Sequence, residues 1–266
     1  MLDSIPIQTI AVSYVALLFS LSVHESAHAA SAYWLEDDTA KRLGRMTINP
    51  LPHIDILGTL VLPLVGMVTG WRVLGWAKPV PVDPRNLTRK FTQRTGMAMI
   101  AGAGPASNLL LSLLCIPILA LAIGLLVSDL HPINPLELTR IKLFVFVRAI
   151  DLPVEQFSDL LKEFFNTTES GAWLVFLIAL LGKMLIINVG LAIFNLLPFG
   201  PLDGASILRG FLPWRMVSGF DRIQPTLSIA ILFLFLLGGI QYILSPLFFV
   251  AINYYILPAA RLFFGA

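Results

Sequence analysis

The sequence predicts an all-α polytopic membrane protein, and three observations carry that expectation. Hydrophobic residues make up 57% of the chain and charged residues 13%, where a soluble domain carries about 25% charged. Several apolar runs approach or exceed the roughly 18 residues that mark a membrane-crossing helix. The alternating strands of about ten residues that mark a transmembrane barrel are absent. The net charge of +2 gives no case for nucleic acid as a partner. The single cysteine, Cys115, lies in an apolar run, where it reads as packing. The N-terminus lacks the basic region of a signal peptide, and there is no room for an appended soluble domain. Residues 1–266 therefore read as one intramembrane domain, with a core over about 5–210 and C-terminal apolar segments over about 226–257.

Taken in order, residues 5–33 form the first span. From Ile5 to Trp34 the only charged residue is Glu25. Residues 34–55 are mixed and turn-rich. Residues 56–71 are apolar but broken by Gly58, Pro63, Gly66 and Gly70, and about 24 Å of helix is marginal for crossing. They read as a short or re-entrant piece. Within 72–95, Gly75-Trp76-Ala77-Lys78-Pro79-Val80-Pro81-Val82 suits either an edge strand open to a substrate strand or a rigid proline-rich loop.

Residues 96–128 form a strong span rich in small residues at its start. Residues 129–171 carry Val154, Phe157, Leu160, Leu161, Phe164 and Phe165 at helical spacing. That pattern fits a helix on the membrane surface or an ordinary packing helix. Residues 172–208 form the next span. Lys183 either snorkels or marks where that span begins. Residues 209–224 read as a basic turn region, and 226–257 as one long helix or two short ones broken at Gly238-Gly239. The nine Lys/Arg of 34–95, the three of 209–224 and the acidic bias of 129–171 place the first two in the cytoplasm and the last outside if 56–71 returns to its own side; if 56–71 spans, the N-terminus lies inside and 34–55 outside.

Chemistry enters with His24-Glu25-x-x-His28. On a helix, residues four apart share a face, so two imidazoles can hold one metal ion while Glu25 takes a proton from a water beside it. Imidazoles and a carboxylate in a bilayer are costly and mark a functional site. Catalytic zinc sites usually have three protein ligands. Asp203 is the choice for the third, because prolines and glycines in Asn195-Leu196-Leu197-Pro198-Phe199-Gly200-Pro201-Leu202-Asp203-Gly204 break the helix there. His53 is a weaker candidate, since a loop histidine beside prolines more often makes turn contacts. Asn108 and Asn195 are candidates to donate to substrate or oxyanion, or else to hold helices together.

With these motifs in hand, the chain resembles the site-2 protease family of intramembrane zinc metalloproteases, in a small branch without PDZ or nucleotide-sensing domains. The resemblance rests on His24-Glu25-x-x-His28, on Gly104-Pro105-x-x-Asn108, and on Asn195-x-x-Pro198 followed by Leu202-Asp203-Gly204. It implies a core of three transmembrane helices carrying these three motifs. It also implies one zinc ion on His24, His28 and Asp203, with Glu25 as catalytic base. The implied partners are membrane-protein substrates, single-span or multi-span, and the lipid bilayer. The implied place is the cell membrane, with cleavage towards the cytoplasmic side. A divalent-cation transporter and an inactive metal-binding scaffold are the competing expectations.

Overall fold

The structure, a computed structural model, describes residues 6–69, 75–127, 134–165 and 172–264. Eleven α-helices are present among them, and no strand. They are α1 (Ile7–Trp34), α2 (Thr39–Arg42), α3 (Leu62–Thr69), α4 (Gln93–Leu126), α5 (Pro135–Asp151), α6 (Val154–Phe165), α7 (Ala172–Asn195), α8 (Asp203–Phe211), α9 (Trp214–Leu236), α10 (Gln241–Ala251) and α11 (Leu257–Phe264). Among the described residues, five helical segments are long and apolar enough to cross a membrane: α1, α4, α7, α9 and the continuous Gln241–Phe264. The protein is an all-α polytopic membrane protein, as its composition predicts.

The residues group into two compact units. One holds residues 1–17, 110–189 and 249–266, and the other 18–109 and 190–248. In the first, α6 buries Val154, Phe157 and Leu161, so its apolar face packs on the protein. Phe164 and Phe165 of that repeat lie outside the described side chains. Helix α5 was not anticipated, because its Lys and Arg residues mask the apolar stripe that buries Val145, Phe146 and Ala149. Lys183 lies in the middle of α7 and neither snorkels nor starts the span. Its Nζ donates to the carbonyls of Leu152 (2.8 Å) and Ile150 (3.3 Å), where the end of α5 leaves acceptors unpaired.

The second unit carries the chemistry. No glycine or proline interrupts α1. It ends in a Schellman turn: Glu36 takes φ 77°, its N–H meets Tyr33 O, and the N–H of Asp37 meets Ala32 O. Asp37 is fully buried and accepts from the N–H of Asp83, 2.8 Å, and from Asn86 Nδ2, 3.2 Å, which ties segment 75–90 to the end of α1. Burial pushes the Asp37 carboxyl up, but hydrogen bonds from Thr39, Asp83 and Asn86 outweigh it and hold the group below the ordinary value of 3.8. A depressed carboxyl stabilises the fold at pH above its unfolded value and loses that contribution as pH falls through the folded one. Stability is therefore expected to decline below about pH 4 through this group. Asp37→Asn should flatten that limb of a thermal-midpoint-against-pH curve; an unchanged limb would exclude Asp37 as its source.

Segment 56–69 does not make a spanning helix. A π-helical turn at Ile56–Val61 runs into α3, together about 21 Å against about 30 Å of hydrocarbon. Residues 70–74 lie outside the described residues. From Gly75 to Asp83 the chain is neither helical nor part of an assigned strand. Trp76 N–H donates to Gly58 O (3.0 Å), Lys78 N–H to His53 O (2.9 Å), and Arg45 Nη2 to Pro79 O (3.3 Å). Gly58 is required because a Cβ there would meet the Trp76 indole at 2.5 Å. The expected basic turn at 209–224 is helical instead, since α8 and α9 cover nearly all of it. Residues 226–257 divide at Gly238, φ 80°, into two helical stretches.

Candidate metal centre

Three separated pieces of chain meet within the second unit. α1 brings His24 and His28 to one face, as the i, i+4 spacing requires. α7 stops at Asn195, residues 196–202 are non-helical, and α8 restarts at Asp203. His24 Nε2 lies 3.0 Å from His28 Nε2. Asp203 Oδ2 lies 3.2 Å from His24 Nε2, and Oδ1 lies 3.4 Å from His28 Nε2.

The outer nitrogens determine the protonation of the rings. His28 Nδ1 is 2.7 Å from Ile100 O, which only accepts, so Nδ1 carries the hydrogen. Asn108 Nδ2 donates to Ser20 O, 3.3 Å, which turns its Oδ1 towards His24 Nδ1 at 2.6 Å; that Nδ1 also carries the hydrogen. With Nδ1 so engaged, each ring in its neutral form has its Nε2 lone pair facing the carboxylate of Asp203. Asp203 Oδ2 is buried and has no hydrogen-bond partner among the described residues. Lone pairs so arranged repel unless a cation lies among them. A zinc ion binds imidazole and carboxylate at about 2.0–2.2 Å, so a tetrahedral site has donor–donor edges of roughly 3.3–3.6 Å. The observed separations of 3.0, 3.2 and 3.4 Å lie at or just below those edges, so the three groups come together at nearly the spacing such an ion requires. The two Nδ1 contacts are of the kind that would fix the tautomers of metal-binding imidazoles.

Glu25 is half-buried on the same turn, and its ligand oxygen lies within 4.8 Å of those of His24 and His28. Its Oε2 accepts from the N–H of Val80, 3.2 Å away, so the proline-rich loop aims the carboxylate. A cleft of about 550 Å³ opens onto Glu25, both histidines, Asn195 and Asp203. Its walls are largely apolar, with Leu21, Val80, Met97, Ile100, Leu191 and Phe194 among them.

Of the two asparagines, Asn108 is fully buried against His24 and Ser20. There its side-chain amide bridges His24 Nδ1 and the α1 backbone. Asn195 lines the cleft and donates to Leu191 O, 3.0 Å. His53 does not join the centre. Its Nε2 meets Thr47 O at 2.8 Å, and its own carbonyl accepts from Lys78. Two contributors carry no signal in the sequence: Ile100 O and the N–H of Val80, both backbone groups. Gly104 stands in the sequence as a motif residue and as a small residue for helix packing, and its place explains the lack of a side chain: a Cβ there would lie 2.5 Å from His24 Cε1, His28 Cε1 and His28 Nε2. Asn108→Ala is expected to weaken zinc binding about 10- to 100-fold, measured by competition with a chelator of known affinity. Wild-type affinity in that variant would remove Asn108 from the ligand's support.

The chain matches the model of peptidase family M50 over residues 12–238. It is 30% identical over 235 residues to "Putative zinc metalloprotease YwhC" of Bacillus subtilis (strain 168), a match covering 88% of this chain and 84% of that protein. No solved structure is matched by the chain.

Proposed function

The chain belongs to peptidase family M50 and is a metalloendopeptidase, and from that premise we propose that it hydrolyses peptide bonds of transmembrane substrate helices at one zinc centre within the bilayer. That membership sets aside the cation-transporter and inactive-scaffold expectations. His24, His28 and Asp203 would hold the ion. When bound, zinc supplies Lewis acidity, which lowers the pKa of a water and polarises a carbonyl. Glu25 accepts the proton of the attacking water and hands it to the leaving nitrogen. Asn195, at the wall of the cleft, donates to the substrate backbone or to the developing oxyanion.

The observation that carries this reading is the convergence of three inward lone-pair donors beside Glu25, in a largely apolar cleft. Such walls suit an apolar peptide segment. The first ligands lie well inside an apolar helix of 28 residues, which favours a substrate delivered from the membrane. By the distribution of Lys and Arg, residues 34–95 lie in the cytoplasm and cleavage occurs towards that side of the cell membrane.

The test is reconstitution in liposomes with single-span candidate substrates. Cleavage is expected to stop with a zinc chelator and to return when zinc is restored, with no zinc accumulating in the vesicle lumen. Cleavage that persists in chelator would sink the metal-centred reading.

A further inference from the structure

We propose that Gln224 and Ser228 on α9 are positioning residues that hold Asp203 at the metal centre. The proposal rests on the reading of Asp203 as the third zinc ligand. Asp203 follows a break in which residues 196–202 leave the helix. Within a membrane every freed backbone group needs a partner. The break satisfies part of this itself, with Phe199 N–H on Leu197 O and Leu202 N–H on Phe199 O. Gly200 differs: both of its backbone groups are taken by α9. Its N–H donates to Gln224 Oε1 at 2.7 Å, and its carbonyl accepts from Ser228 Oγ. Gln224 Nε2 also donates to Pro198 O at 3.4 Å.

A second contact acts at the other end of α8. Arg209, in its last turn, makes a two-pronged pair with Asp221 of α9, Nε to Oδ1 at 2.9 Å and Nη2 to Oδ2 at 3.0 Å. Asp221, Gln224 and Ser228 are spaced three and four apart, so they form one stripe on α9. That stripe brackets the nine-residue helix whose first residue is Asp203. No residue of α9 is fully buried, although apolar residues such as Val217, Phe220 and Ile231 are half-buried. The polar stripe supplies the directional contacts, and Gly200, three residues before the ligand, is its nearest point.

The experiment compares the full-length wild type with Gln224→Met, Ser228→Ala and the double variant, each loaded with zinc in detergent or liposomes. Zinc loss to an excess of chelator is followed, along with thermal unfolding of the zinc-loaded and the metal-free protein. We expect the double variant to lose zinc about tenfold faster or more, each single variant to fall between, and the unfolding midpoint to drop further in the zinc-loaded protein than in the metal-free one. Zinc loss at the wild-type rate would overturn the proposal. So would equal drops in the two midpoints, which would make the stripe a general support for α9. A wild type that holds no zinc would instead overturn the metal-centre reading, and the latch with it.

Discussion

Glu25→Gln is expected to lower the turnover number by about 10²–10⁴-fold, the usual contribution of a positioned general base, while zinc content stays at the wild-type level. The substitution is isosteric. A glutamine carbonyl can still accept from the N–H of Val80, which now lies 3.2 Å from Oε2, so the side chain keeps its place. An amide cannot take the proton, and only that function is lost. KM should change little, because the ligands and cleft walls that bind substrate are untouched. The measurement is initial-rate cleavage in liposomes beside metal analysis of the same preparation. Activity within a few-fold of wild type would remove Glu25 from the proton path.

Gly104→Ala should be nearly as damaging, through a purely steric route. In an ordinary helix interior the change favours folding by up to about 1 kcal/mol. Here the added methyl would sit 2.5 Å from carbons of both imidazoles and from His28 Nε2. The rings have nowhere to retreat. Their Nδ1 atoms are held by Asn108 and by Ile100 O, so moving either breaks its outer hydrogen bond and spreads the donor cage. Overpacking of this kind costs about 1–3 kcal/mol, and the disrupted centre should lose zinc affinity by at least the 10- to 100-fold seen when ligand support is removed. Gly102→Ala is the matched control, since nothing lies within 4 Å of a Cβ there. The expected result is zinc-deficient, inactive Gly104→Ala beside active Gly102→Ala. Full zinc occupancy in both would show that α4 yields at this point.

The structural basis of these two variants divides along the chain. Glu25 is legible because it lies one residue from His24 and three from His28, within a single turn, and helical periodicity alone puts the two imidazoles on a common face. The lack of charge around them is equally local. Asp203 was reachable at a distance because prolines and glycines that break a membrane helix leave a conspicuous mark. The sequence says least where a side chain's partner lies far off along the chain. Asn108 and Lys183 are both polar groups in apolar runs, and neither run reveals that one orients His24 while the other closes the end of α5. The charges of α5 and of 209–224 obscured helices for a related reason. Their apolar or ion-pairing faces gain meaning only against neighbouring elements.

By itself, then, the amino-acid order determined the all-helical membrane class, the two-histidine face, the carboxylate beside it and the broken segment that presents Asp203. Each follows from hydrophobic period, composition or breaker residues, which act over one or two turns. The tertiary structure alone decided which nitrogen of each imidazole faces inward, that His53 stays outside, that Gly104 must lack a side chain, and that the Val80 N–H steers Glu25. Those outcomes depend on backbone carbonyls, backbone N–H groups and contact distances between remote segments. A backbone donor is the same at nearly every residue, so no pattern of side chains can announce it before the chain has folded.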